Sequence, residues 1–491
     1  MWRIVGLLLV VPVSAAQETH GHPAPERLGT VSFSISCSPE VEEQFNHGVA
    51  LLHSFAYSAA VNIFQKVAER DPHCAIAHWG IAMSYFHQLW DPPLAPASFQ
   101  VGQKEIRLAQ QIGADNERER QFIRALNFIY QDAAISYTAR AANYELAMQD
   151  LASTNQMDVE AQVFYALALL ANASPADKNH TRQKQAADIL EPLFEEFPEH
   201  PGMAHYLIHA CDNAELAKRG LSAARAYSKI APSAPHALHM PSHIFTRLGL
   251  WKESIDANLA AQTAAHQQGD LGEELHAMDY LVYAYLQIGG DDGAAQVIEQ
   301  LKNMRNLDHA DFKIAYASTA MPIRYAVERR KWPGAAAIIP PSSAPPHVVA
   351  IAVWSQAIGL ARSGRSARAQ KDVAQLREIE RKLRASGRDY WAAQTSILRR
   401  EVEAWSSEAD HRREQAVALM RAAADDEDTI EKLPVTPGPI LPAREQLGDL
   451  LLEQNRPDLA QKEFKAVLVN TPGRRGALQG VADAAVLSGR K

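Results

Sequence analysis

From Val41 onward apolar residues recur at three- and four-residue intervals, the period of helices with one buried stripe. Runs of β-branched residues are short and alanine is abundant, so strand signals are nearly absent. The helices come in pairs. Within 41–74, Gly48 falls on a first helix, Ala60 and Phe64 fall on a second, and Asp71-Pro72 closes the unit. The same grammar returns in 441–473, with Gly448 and Leu451, then Ala460 and Phe464, then Thr471-Pro472. The pairs between place a small residue where two helices cross and an apolar or aromatic one a turn later, as in Ala223 with Tyr227 and Ala295 followed by Ile298. Two stretches interrupt the rhythm. Leu89-Trp90-Asp91-Pro92-Pro93 through Pro96 reads as an ordered loop, and the proline-rich segment 339–346 reads as a linker. The linker divides an N-terminal array, 38–338, from a C-terminal array, 347–491, whose residues 474–490 form a capping helix. Residues 17–37 read as an extended lead-in, its first part a disordered tail.

This spacing of small and aromatic residues on paired helices resembles the tetratricopeptide repeat, a 34-residue helix-turn-helix unit. The resemblance spans 38–490 and is strongest in the first and last units. It implies an all-α fold, a right-handed α-solenoid in two sub-arrays. Each pair has an apolar face that only its neighbours can bury. It also implies that the first helix of each repeat lines a concave groove where ligands bind, ordinarily a peptide or protein segment.

Histidines change the picture. Eight of the 19 lie between His200 and His276. His205, His209 and Asp212 are spaced i, i+4, i+7, and His236, His239 and His243 are spaced i, i+3, i+7. His276 and Asp279 are spaced i, i+3. Each set shares one helical face, and by the resemblance all three lie on consecutive inner helices, so the stripes converge in one groove. Pro241 requires the middle helix to start or kink there. Imidazoles grouped with carboxylates suit a transition ion such as zinc, copper or iron, and three protein ligands with an open position characterise catalytic zinc. His205, His209, Asp212, His236, His239, His243 and His276 are the candidate ligands. Glu273, Glu274 and Asp279 are the candidate general bases toward metal-bound water. The pair His205 and His209 lacks the glutamate of HExxH, which excludes that protease mechanism.

His53 and His87 occupy equivalent positions near the ends of two more inner helices. With His78, Tyr280 and Tyr283 they form a secondary part of the groove. The competing expectation is a metal-free scaffold in which Trp90, Tyr280 and Tyr283 anchor a bound protein segment. No GxSxG, phosphate-binding glycine loop, CxxC or dinucleotide fingerprint occurs.

Residues 1–16 read as a secretory signal: Arg3, the apolar run 4–13, then Ser14-Ala15-Ala16 at the cleavage site. Export to the periplasm or medium is therefore expected, with no membrane span afterwards, because no later apolar run reaches 18 residues. Export permits disulfides. Cys37 precedes one helix and Cys74 follows the next, which places both at the same end of a hairpin, and they are the expected pair. Cys211 is left over. A net charge of −8 without a basic stripe excludes a nucleic-acid partner.

Overall fold

The computed structural model describes residues 26–89, 94–341 and 343–489, so the signal segment, His20, His22 and Trp90 lie outside the described residues. Every regular element among the described residues is a helix. The first unit shows why the pairs form. Glu42–His53 and Tyr57–Arg70 cross with Gly48 against Phe64, and the following helix Ala75–Ser84 brings Gly80 to the same ring. A Cβ on Gly48 or Gly80 would stand 2.7 or 2.6 Å from Phe64 ring atoms. Near the other end Gly448 and Gly480 hold Phe464 in the same way, at 2.6 and 2.4 Å. One fully buried aromatic thus locks three helices, as the resemblance to the tetratricopeptide repeat implies, and the described residues form an α-solenoid of helix pairs. Replacing Gly448 by alanine should cost about 1–3 kcal/mol, because the ring has no room to retreat. Urea unfolding of the variant would measure it.

The described part of the extended lead-in, residues 26–36, is seated on the helices. Phe33 is fully buried, with ring centroids 5.3, 5.5 and 5.0 Å from Phe45, Trp79 and Phe122. The backbone of Thr30 donates to the carbonyl of Glu199, and that of Ser233 donates to Arg27. This strand-like stretch therefore ties the first unit to the helices that carry the histidines. An aromatic at position 33 that fills a gap between units outweighs the entropy of a free tail.

Cys37 and Cys74 are bonded, with Cα atoms 4.9 Å apart, across the mouth of the first hairpin. Closing a loop of this length stabilises by roughly 2–4 kcal/mol in the chain-entropy model. The oxidised chain should therefore melt higher than a Cys37→Ser/Cys74→Ser variant, and intact mass without reductant should show two fewer hydrogens than the reduced chain.

The C-terminal units close back on the N-terminal ones. The connection 428–442 runs across the inner helices as a strap. Along it Glu431 accepts from Arg247 at 3.1 Å, Lys432 meets Asp212 at 2.6 Å, and the Thr436 carbonyl accepts from the Tyr280 hydroxyl at 3.1 Å. Arg324 donates to the Pro439 carbonyl at 3.0 Å. Beyond the strap, buried Arg474 bridges Glu445 and Glu328, and the Trp251 indole donates to the Gly473 carbonyl.

Candidate metal centre

Three consecutive inner helical segments supply the site. Pro201–Cys211 opens with proline at its first turn and is capped by His200, whose Nδ1 accepts from the Met203 backbone. Its i, i+4 face presents His205 and His209. The second segment is two short helices, Pro235–His239 and Pro241–Arg247, because Pro241 lacks the amide that would continue the first. Together they present His236, His239 and His243. Leu271–Gln287, capped by the Asp270 carboxylate, presents His276.

The six imidazoles sort into two trios. In His205–His209–His236 and in His239–His243–His276, one ligand atom from each residue lies within 4.8 Å of the others. Within the first trio the His205 Nε2 is 3.1 Å from both the His209 Nε2 and the His236 Nε2. Within the second, the His239 and His243 Nε2 atoms are 3.0 Å apart. The trios abut: the rings of His209 and His243 are 6.1 Å apart between centroids, and those of His236 and His239 are 6.2 Å apart.

What stands behind the rings decides their tautomers. The His205 Nδ1 faces the His53 carbonyl at 2.6 Å, and the His236 Nδ1 faces Glu273 at 3.1 Å. The His243 Nδ1 faces Asp212 at 2.9 Å, and the His239 Nδ1 faces the Asn258 side-chain oxygen at 2.6 Å. Asn258 is itself fixed, since its amide nitrogen donates to the Ser254 carbonyl. All four partners accept hydrogen bonds, so each Nδ1 carries the proton and each Nε2 turns a lone pair inward. At 3.0–3.1 Å those lone pairs face one another. A cation resolves that repulsion, and buttressed imidazoles of this kind are the usual second layer of metal sites.

In the second trio a proton does not serve near neutrality. Burial, then the neighbouring imidazoles, holds His205, His209, His239 and His276 well below the ordinary histidine value. His243 is pushed down to about 4 by burial, against the pull of Asp212. A histidine whose folded pKa is depressed contributes stability that is complete above its unfolded pKa of about 6.5 and is lost as pH falls toward the folded value. Metal-free protein should therefore unfold at lower urea concentration at pH 5 than at pH 7.

The carboxylates occupy other roles than those the spacing suggests. Asp212, expected among the ligands, stands behind His243 and accepts from Arg247 at 2.8 Å and from Lys432. Burial would raise its pKa, but Lys432 and Arg247 hold it well below the carboxylate range. Glu273, expected as a base, orients His236 and pairs with Lys313. Glu274 turns away to His266, and Asp279 is buried against Arg324 at 3.5 Å. None of these four belongs to either trio. Helical spacing identifies the face a side chain shares, but not its reach across the groove.

Of the secondary set, Tyr280 borders the second trio, its ring 4.7 Å from His239 and its hydroxyl 3.3 Å from the His243 Nδ1. Tyr283 instead meets Arg474 of the C-terminal units. His78 pairs with Glu105. His87 stacks on Tyr57 at 4.1 Å, and Tyr57 stacks on Phe55. Nothing in the spacing marks Phe55 as a site residue. It occupies the left-handed region at φ 54° and packs its ring 4.4, 5.8 and 5.4 Å from His205, His209 and His236. Winding of the solenoid thus brings the first unit against the first trio.

His53, Glu160 and His200 form a further buried cluster, of different logic. The His200 Nδ1 accepts the Met203 amide, so its Nε2 carries the proton and donates to Glu160 at 3.0 Å. The other Glu160 oxygen meets the His53 Nε2 at 2.9 Å. Every facing atom has a complementary partner, so hydrogen bonding alone accounts for this cluster. Cys211, at the end of the helix that carries His205 and His209, belongs to neither trio, and burial pushes its thiol up to about 12.

No protein-family model matches the chain, and no curated protein matches it in sequence. Among solved structures it is similar to the monomeric IFIT1 mutant with Gppp-AAAA, at 10% identity and a TM-score of 0.38 over 84% of this chain and 90% of that one. It is also similar to yeast Tom70, at 12% identity and a TM-score of 0.33 over 91% of this chain and 90% of that one.

Proposed function

We propose that this chain is an exported solenoid that holds two transition-metal ions, one in each histidine trio, as a metal-dependent enzyme or a metal-handling protein. The observation that carries the reading is the set of four anchored Nδ1 atoms, which leaves Nε2 lone pairs converging inside each trio. Neutral imidazole donors suit zinc, copper, iron or nickel, not magnesium or calcium. The Cys37–Cys74 bond accords with an oxidising compartment. No helix among the described residues is long and apolar enough to cross a membrane.

The alternative, a groove that receives a peptide, has less support. Of its expected anchors, Tyr280 already donates to the Thr436 carbonyl of the chain's own strap, and Tyr283 already accepts from Arg474. Elemental analysis of the purified mature chain, before and after loading with zinc or copper, tests the proposal. Two tightly held ions per chain are expected. Absence of any stoichiometric ion after loading would return the groove to a polar binding surface.

A further inference from the structure

We infer that the two trios together hold a coupled pair of copper ions which, as copper(I), binds dioxygen between them. This rests on the two-ion reading above and adds the identity of the metal and of its small-molecule partner.

The donor set argues for a monovalent ion. Both trios consist of imidazoles alone, with no carboxylate or thiolate in either. Two divalent ions would bring four positive charges into this buried place with no anionic ligand to offset them, and uncompensated buried charge is costly. The carboxylates standing behind the rings do not fill that role. Asp212 already faces Arg247 and Lys432, and Glu273 already faces Lys313. Two copper(I) ions halve the added charge. Of the metals that imidazole suits, copper is the one with an ordinary monovalent state.

The arrangement argues for a shared ligand. Three nitrogens leave each ion coordinatively open, and the trios meet ring to ring at 6.1 and 6.2 Å. Two open ions held side by side in this way could share a ligand as small as a diatomic molecule. A cavity of ≈ 390 Å³, lined by aromatic Tyr390 and Trp391 and by charged Arg388, Glu431 and Lys432, reaches His209 and gives a small molecule a route to the first trio. The chemistry balances without another reactant: each copper(I) gives one electron, dioxygen gains two, and peroxide is left bridging two copper(II) ions. No proton is consumed and no bond to the protein changes.

The test is anaerobic loading of the mature chain with copper(I), followed by exposure to dioxygen. Uptake of two coppers per chain is expected, then one dioxygen per pair. A near-ultraviolet peroxide-to-copper(II) absorption should appear with no electron paramagnetic resonance signal, because the two spins couple. In a copper titration the band should grow only as chains acquire their second ion. His276→Gln, which breaks one trio, should keep one copper, take up no dioxygen and give a resonance signal after chemical oxidation. If that variant does not fold, native chain loaded with one zinc and one copper makes the same comparison. Two coppers that take up no dioxygen, or that give independent resonance signals once oxidised, would overturn the inference while leaving two-ion binding intact. A chain that retains neither zinc nor copper would overturn both.

Discussion

Replacing His209 or His243 by alanine is expected to remove one ion per chain, and replacing both to remove both, with a fall in melting temperature at each step. The two residues belong to different trios, so their losses should be nearly independent in metal content. An ion bound only by the folded state stabilises it by mass action, by about 4 kcal/mol when its free concentration is a thousand times the dissociation constant. The gain should vanish with chelator in the parent and be absent from the double variant at any metal concentration. Exposed His73 is the neutral control. His347 is a stricter one: it is buried against Trp391 with centroids 4.3 Å apart, so its loss should lower stability without changing metal content. If the double variant melts like the parent with and without chelator, the trios hold no ion that matters to folding.

The second large effect belongs to Asp212. Its carboxylate faces the His243 Nδ1, the Arg247 guanidinium and the Lys432 ammonium, and all of these groups are largely shielded from water. Burial already pushes Lys432 down to about 8 with Asp212 beside it. Asp212→Ala would leave two cations without their shared anion, and breaking a buried pair in this way typically costs about 3–5 kcal/mol. The strap should loosen as well, since Lys432 and Glu431 both anchor it through this cluster. Urea unfolding and limited proteolysis within 428–442 would register the two consequences separately. Native-like midpoints together with an uncut strap would show that Asp212 does not hold the arrays together.

Much of this centre can be read from the chain, because helical spacing and repeat order act over short distances. His205 with His209, and His239 with His243, are i, i+4 pairs, and their convergence follows once the helices are paired. The split at Pro241 follows from its missing amide. Sorting into two trios does not follow, because it depends on how far one inner helix is rotated against the next. That rotation places His236 with the preceding helix and His239 with the following one, although they are three residues apart. The wall made by Phe55 and the bond from His205 to the His53 carbonyl are set by winding over some 150 residues. Spacing within a segment carries no trace of that. Nor does an acidic residue on the right face reveal whether it will meet a metal or, like Asp279 with Arg324, a distant arginine.

The strap has a consequence in time. Its anchors lie on Asp212, Arg247, Tyr280 and Arg324, whereas the strap itself is made about a hundred residues or more after the last of them. Domains and repeats acquire structure in the order the chain emerges. The histidine helices therefore pack while the groove is still open, and an ion bound as proposed would enter from the side the strap later covers. Once 428–442 is laid down, loss of an ion held as proposed would be slowed by the strap, whose lifting breaks the Asp212 cluster and the Arg324 bonds together. On the two-ion reading, residence of each ion would then depend on an opening rate as well as on the strength of its three nitrogen bonds. Slow exchange with free metal, quickened by Asp212→Ala, would be its signature.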